Sequence, residues 1–176
     1  MKNRRTQNAP TVWCGFLSRG IIGPFFFKNE QEEAVTVNGD RYRAMFNEFL
    51  FTKIEEEDIG NIWFQKDGPT CHTAEATLDT LFEDRIISRR ADVIWPPRSS
   101  DLTPLDYYFW SAVRDKCYAD NPETIEALKD NIRERKGQYS EIQLHTIDNV
   151  LTNWTDRVGY CMASRGSHLN EIIFHY

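Results

Sequence analysis

The apolar positions of the chain change period several times, and each change marks an element. Two runs come first, Val12–Phe16 and Ile21–Phe27, with Ser18-Arg19-Gly20 between them as a turn composition, so a β-hairpin is predicted. Pro24 inside the second run points to an edge strand or a bulge. From Asn38 to Glu55 the pattern becomes helical, with Tyr42, Met45, Phe46, Phe49 and Leu50 on one face. Ile62-Trp63-Phe64 reads as a short buried strand running into Asp67, and after Gly68-Pro69 a second helix carries Ala74, Leu78, Leu81 and Phe82. Val93-Ile94-Trp95 is another short strand, stopped by Pro96-Pro97.

Helices dominate the C-terminal part of the chain. Thr103-Pro104 has the composition of a helix start, threonine as N-cap and proline in the first position, for a helix through Tyr118. Asn121-Pro122 repeats that signal for a helix with Ile125, Leu128 and Ile132. Ser140 and Gln143 have capping-box spacing ahead of the stripe Ile147, Val150, Leu151, Trp154, Val158 and Met162, with Gly166 as a stop. Strands alternating with helices predict an α/β fold, a mixed sheet flanked by helices with a C-terminal helical appendage. By residue number, 1–10 read as a flexible N-terminus, 11–119 as the α/β domain and 120–176 as the helical region.

Composition narrows this picture in four ways. With 40% hydrophobic and 13% aromatic residues in 176, the chain has enough apolar surface for a core. The longest apolar runs, such as Phe25-Phe26-Phe27, are far too short to span a bilayer, so no membrane partner is expected, and the basic N-terminus has no apolar stretch of a secretory signal behind it. Cys14, Cys71, Cys117 and Cys161 are scattered without a CxxC pair and read as reduced thiols of an intracellular protein. A net charge of −6 is unlike that of a dedicated nucleic-acid binder, although it suits a catalytic domain whose DNA affinity comes from another module.

Two aspartates carry the candidate chemistry. Asp67 directly follows a predicted strand, and ligands of open α/β sheets bind at the carboxyl ends of strands. A hard anionic oxygen there suits Mg²⁺ or Mn²⁺; the plainer alternative is a turn-forming aspartate before Gly68-Pro69. Asp106 lies at the third position of the predicted helix, where an acid also serves the cap and the helix dipole. Asp101, in the preceding loop, competes with it, and spacing alone favours neither. His72, Lys66 and Arg98 are further candidates as DNA contacts, each with a simpler reading as a helix-start or solvated surface residue.

The surrounding residues are more specific. Trp63-Phe64-Gln65-Lys66-Asp67-Gly68-Pro69-Thr70-Cys71-His72-Thr73-Ala74 resembles the segment around the second catalytic aspartate of mariner-type transposases of the Tc1/mariner superfamily. The stretch Trp95-Pro96-Pro97-Arg98-Ser99-Ser100-Asp101-Leu102-Thr103-Pro104-Leu105-Asp106-Tyr107-Tyr108-Phe109-Trp110 is similar to their third-carboxylate segment, in which the acid lies two positions after the proline. The hairpin residues Val12-Trp13-Cys14-Gly15 and Gly20-Ile21-Ile22-Gly23-Pro24, and the C-terminal Asn153-Trp154 and Ser164–Asn170, extend the resemblance over nearly the whole chain from residue 11. It implies a ribonuclease-H-like fold and a DDE/D-type site in which carboxylates hold two metal ions for cutting and rejoining DNA. Asp67 and Asp106 would be catalytic metal ligands, with Mg²⁺ or Mn²⁺ as cofactor, transposon-end DNA as partner, a homodimer as one assembly and the nucleus as location.

The same resemblance exposes a gap. The family's first carboxylate lies on a strand ahead of the hairpin, the central strand of the sheet. Residues 1–29 contain no Asp or Glu, and the first acid, Glu30, follows the second hairpin strand. Ser100 also stands where the family usually has proline. An N-terminally truncated, catalytically inactive domain with weakened metal binding is therefore expected, with the backbone edges beside the lost strand left open to aggregation or to a partner strand. Two other readings remain: a non-catalytic DNA-binding or protein-interaction relic, and an incomplete gene model of a full transposase with the missing strand and a helix-turn-helix module upstream.

Overall fold

The computed structural model describes residues 10–67, 72–96, 99–119, 121–140 and 144–166, with the side chains of 72–76, 112, 115–116, 135–140 and 144–145 outside the description. The chain forms two compact units, one of Met1–Cys14 with Pro24–Arg98 and one of Gly15–Gly23 with Ser99–Tyr176. Among the described residues the architecture is mixed α/β: one two-stranded sheet, one parallel three-stranded sheet, and flanking helices. Among the described residues no helix is long and apolar enough to cross a membrane.

The hairpin pairs β1 (Thr11–Leu17) with β2 (Gly20–Phe27) across Ser18-Arg19, where the sequence predicts it. Gly23 takes φ +114°, a conformation that suits glycine and interrupts the regular strand immediately before Pro24. Inside the first unit, α1 (Gly39–Met45) is capped by Asn38, whose side-chain oxygen accepts from the Arg41 N–H. The helix does not run on regularly to Glu55 as its period suggests. It passes through a π-helical turn, Phe46–Leu50, before continuing as α2 (Phe51–Glu56). The wider turn shifts the helix register, and Met45, Phe46 and Leu50 are all buried.

That turn organises an aromatic core. The Phe46 ring meets Tyr42 at 4.8 Å, Phe64 at 5.3 Å and Trp13 at 6.3 Å, all edge-to-face. Phe49 touches Trp13 and Phe25 of the hairpin, while Phe64 stacks on Phe82 at 4.8 Å. The chain of rings thus runs from the hairpin through the helix to β3 (Phe64–Gln65) and on to α3 (His72–Phe82). The predicted strand at residues 62–64 therefore lies slightly later. Trp63 is 55% exposed rather than buried, since strand alternation sends the residue beside Phe64 to the other side.

The second sheet has the order β3-β4-β5, with β4 (Ile86–Ser88) parallel to both β3 and β5 (Val93–Ile94). The strand at β4 escapes the sequence pattern because it is only three residues long between charged neighbours. Phe64 and Lys66 donate to the carbonyls of Arg85 and Ile87 at 2.9 and 2.8 Å. Ladder alternation then turns the backbone of Gln65 to the opposite edge, where no strand is paired among the described residues. The other edge, β5, exposes both Val93 and Ile94, so it is not a buried core strand. Trp95 beyond it is buried, and among the described residues its indole N–H finds no acceptor.

Beyond the hairpin residues Gly15–Gly23, the second unit is helical among the described residues. A 3₁₀ turn, Ser100–Leu102, leads into a π-helical turn, Leu105–Phe109, and then α4 (Trp110–Ala119), α5 (Ile125–Ser140) and α6 (Leu144–Ala163). Two predicted caps are displaced. Thr103 does not cap with its side chain; its hydroxyl donates to the Ser99 carbonyl, and its own carbonyl accepts from Asp106 and Tyr107. α5 starts not at Asn121-Pro122 but after Thr124, whose hydroxyl oxygen accepts from the Ala127 N–H. Ser140 is the last residue of α5 rather than a cap, and Gln143 lies outside the described residues. α6 ends as the stripe predicts: Gly166 at φ +86° donates to the Cys161 carbonyl at 2.8 Å. Met162, however, is exposed, and the buried position near that end of the stripe is Arg157.

Two outcomes are expected from this core. Phe46 is fully buried among three rings, so Phe46→Ala should cost about 3–5 kcal/mol in urea unfolding followed by tryptophan fluorescence; a loss below about 1 kcal/mol would mean that the rings are not its structural centre. Burial pushes the Tyr42 hydroxyl up to about 12, partly offset by a hydrogen bond from the Trp13 side chain. The unfolded tyrosine ionises from about pH 10, so between pH 10 and 12 the unfolded state loses the proton first and is favoured. Relative to Tyr42→Phe, the parent chain should hold its stability below pH 10 and lose at most about 2–3 kcal/mol by pH 12. Parallel curves for the two proteins would contradict this.

Candidate functional site

Asp67 is half-buried and directly follows Lys66, whose N–H still bonds to Ile87 of the neighbouring parallel strand. It thus stands at the carboxyl end of β3, the part of a parallel sheet where loops gather ligands. Backbone pairing up to Lys66 holds the chain rigid to within one residue of the carboxylate. Residues 68–71 lie outside the described residues; His72 begins α3, and its side chain is likewise outside the description. Lys66 does not extend freely from the sheet. Its ammonium lies over the Tyr42 ring, 5.1 Å from the centroid, which anchors it to α1.

Asp106 belongs to the second unit and is exposed in the first turn of the π-helical segment Leu105–Phe109. Its N–H donates to the Thr103 carbonyl at 2.9 Å, so its backbone is part of the turn. Asp101, its competitor in the sequence, is half-buried in the 3₁₀ turn, and its carbonyl is taken by Arg157. Of the two, Asp106 is therefore the residue on the surface. Arg98 lies outside the described residues.

Three hydrogen bonds join α6 to this stretch. Trp154 Nε1 donates to the Leu102 carbonyl at 2.9 Å, Arg157 Nη1 to the Asp101 carbonyl at 2.9 Å, and Tyr107 Oη to the Val150 carbonyl at 3.0 Å. The Arg157 guanidinium also lies 4.1 Å from the centre of the Tyr107 ring. Hydropathy patterning sees Trp154 only as an apolar stripe residue and passes over Arg157 altogether. The available signal is positional: Arg157 follows Val150 by seven residues and Trp154 by three, on the buried face.

Asp67 and Asp106 both provide hard carboxylate oxygens at the ends of elements, the donor type that Mg²⁺ and Mn²⁺ prefer. They belong to different units, and each is defined by its own surroundings. Among the described residues no group of three or more His, Cys, Asp or Glu side chains is arranged to hold an ion. The three described cysteines, Cys14, Cys117 and Cys161, are not in disulfides. The sequence matches no protein-family model, and no curated protein matches it.

Proposed function

We propose that this chain is a transposon-derived DDE/D-type nuclease domain, a nucleic-acid-binding relic of a mariner-like transposase that does not cut DNA by itself. The observation that carries the reading is the location of Asp67. The one aspartate of its motif-like segment stands half-buried at the carboxyl end of a parallel strand in a strand–helix–strand unit. Asp106, exposed in the first turn of a helix, supports the same reading from the second such segment.

In this reading Asp67 and Asp106 each serve as a metal ligand, and Mg²⁺ or Mn²⁺, when bound, would neutralise charge on a scissile phosphate. The ribonuclease-H-like identity of the fold, DNA at transposon ends as partner, a homodimer and a nuclear location all belong to this proposal and follow from the resemblance. The inactivity proposed for this chain rests on its carboxylate set: no residue from 1 to 29, the hairpin included, is acidic. A DNA-binding or protein-interaction relic whose aspartates hold no metal is the second reading, favoured by that same shortage of acids.

The full chain incubated with supercoiled plasmid and Mn²⁺ should leave the plasmid intact while retarding it in a salt-sensitive manner. Loss of the free Mn²⁺ resonance should report weak ion binding that Asp67→Ala reduces at least tenfold. Nicking that disappears in Asp67→Ala would overturn the claim of inactivity. A chain that binds neither plasmid nor Mn²⁺ would remove the nuclease reading altogether.

A further inference from the structure

Arg157 is a charged side chain only 7% exposed, and no apolar pattern requires it there. Taking a guanidinium out of water costs several kcal/mol, and a well-packed apolar side chain of similar volume often does as well or better for stability. What a hydrophobe could not do is hold a particular carbonyl in a particular direction. Arg157 does this. Its Nη1 donates to the Asp101 carbonyl at 2.9 Å, its Nε is fixed by the Asn153 side-chain oxygen at 2.6 Å, and its plane covers the Tyr107 ring at 4.1 Å.

Trp154, one helical turn earlier, spends its single N–H on the next carbonyl, that of Leu102. Tyr107 closes the other end by donating to Val150. These links join residues 43 to 56 positions apart in sequence. They also bracket one side chain. Asp101 and Leu102 are held before Asp106 and Tyr107 is held directly after it, while Asp106 itself is exposed.

We infer that Arg157 and Trp154 are positioning residues for Asp106. From α6 they fix the turn that carries the carboxylate, so that the acid is presented to its ligand in one orientation. The inference rests on the proposal that Asp106 is a metal ligand, and it adds a device that aims it. Side chains that orient a metal ligand from behind typically change metal affinity 10- to 100-fold when removed.

The test uses the full chain and Arg157→Met, with Arg157→Lys as a second variant that keeps the charge but loses the planar fork. Three quantities are read: the melting temperature, hydrogen exchange of the amides of Asp106 and Tyr107, and Mn²⁺ affinity by free-ion resonance. The expected result is a melting temperature within a few degrees of the parent, exchange at residues 106 and 107 at least tenfold faster, and Mn²⁺ binding weakened about tenfold. Arg157→Lys should fall between the two, and if Arg157→Met does not fold it carries the comparison. Unchanged exchange and unchanged Mn²⁺ affinity in a folded variant would overturn the inference. A fall in melting temperature with parent-like Mn²⁺ affinity would also overturn it, since the role would then be structural only. If the parent binds no Mn²⁺, the functional reading of Asp106 fails, and the exchange rates alone decide whether α6 fixes the turn.

Discussion

The first unit depends on the burial of a single ring. Phe46 has no exposed surface, and through it the hairpin, the helix and β3 share one aromatic core. Neither sheet is large enough to stand by itself: a two-stranded hairpin is marginal in water, and strands of two or three residues offer few ladder bonds. Their cohesion comes from side chains that meet on the helix between them. The π-helical turn at Phe46–Leu50 brings this about, because the shift in register keeps Phe46 and Leu50 buried along with Met45 while Phe49 reaches the hairpin rings.

The second unit solves a different problem with different chemistry. The residues from Ser99 to Tyr107 form two unusual turns in succession, one 3₁₀ and one π, and neither has a side-chain cap. A segment of this kind has carbonyls that a regular helix would use and that here need other partners. α6 supplies them with an indole N–H and a guanidinium, and takes a tyrosine hydroxyl in return. Hydrophobic burial is non-directional, whereas these bonds specify which carbonyl sits where. The irregular backbone around Asp106 and the inward-facing donors of α6, Trp154 and the buried Arg157, are therefore one feature seen from two sides.

This division explains how much could be read from the sequence. The hairpin, the start of the helix at Asn38, the helix carrying Leu78 and Phe82 and the end of α6 at Gly166 were legible, because periodicity and a glycine at a helix end are local signals. Elsewhere tertiary contacts overrule the local signals. Thr103-Pro104 has the composition of a cap, yet the threonine hydroxyl turns back to Ser99. Asn121-Pro122 has the same composition, while Thr124 does the capping. Ile86–Ser88 is too short to show a period, and its strand exists because β3 and β5 lie beside it. Of the site, the two aspartates could be picked out by the residues around them, but Arg157 could not. Its role appears only when α6 is placed against residues 101–107.

The contrast between the two aspartates bears on what kind of site they could serve. Asp67 is half-buried at the end of a paired strand, where the ladder up to Lys66 limits its movement, and the Lys66 ammonium lies over the Tyr42 ring. A carboxylate so held is suited to a fixed ion. Asp106 is exposed on an irregular turn, and α6 ties down the backbone on either side of it. A merely solvated aspartate would need no such support, and a helix cap could be served by its own turn. The buried guanidinium behind it, expensive to desolvate and directional in its bonds, makes sense if the geometry of that turn matters more than the stability an apolar residue could supply at position 157.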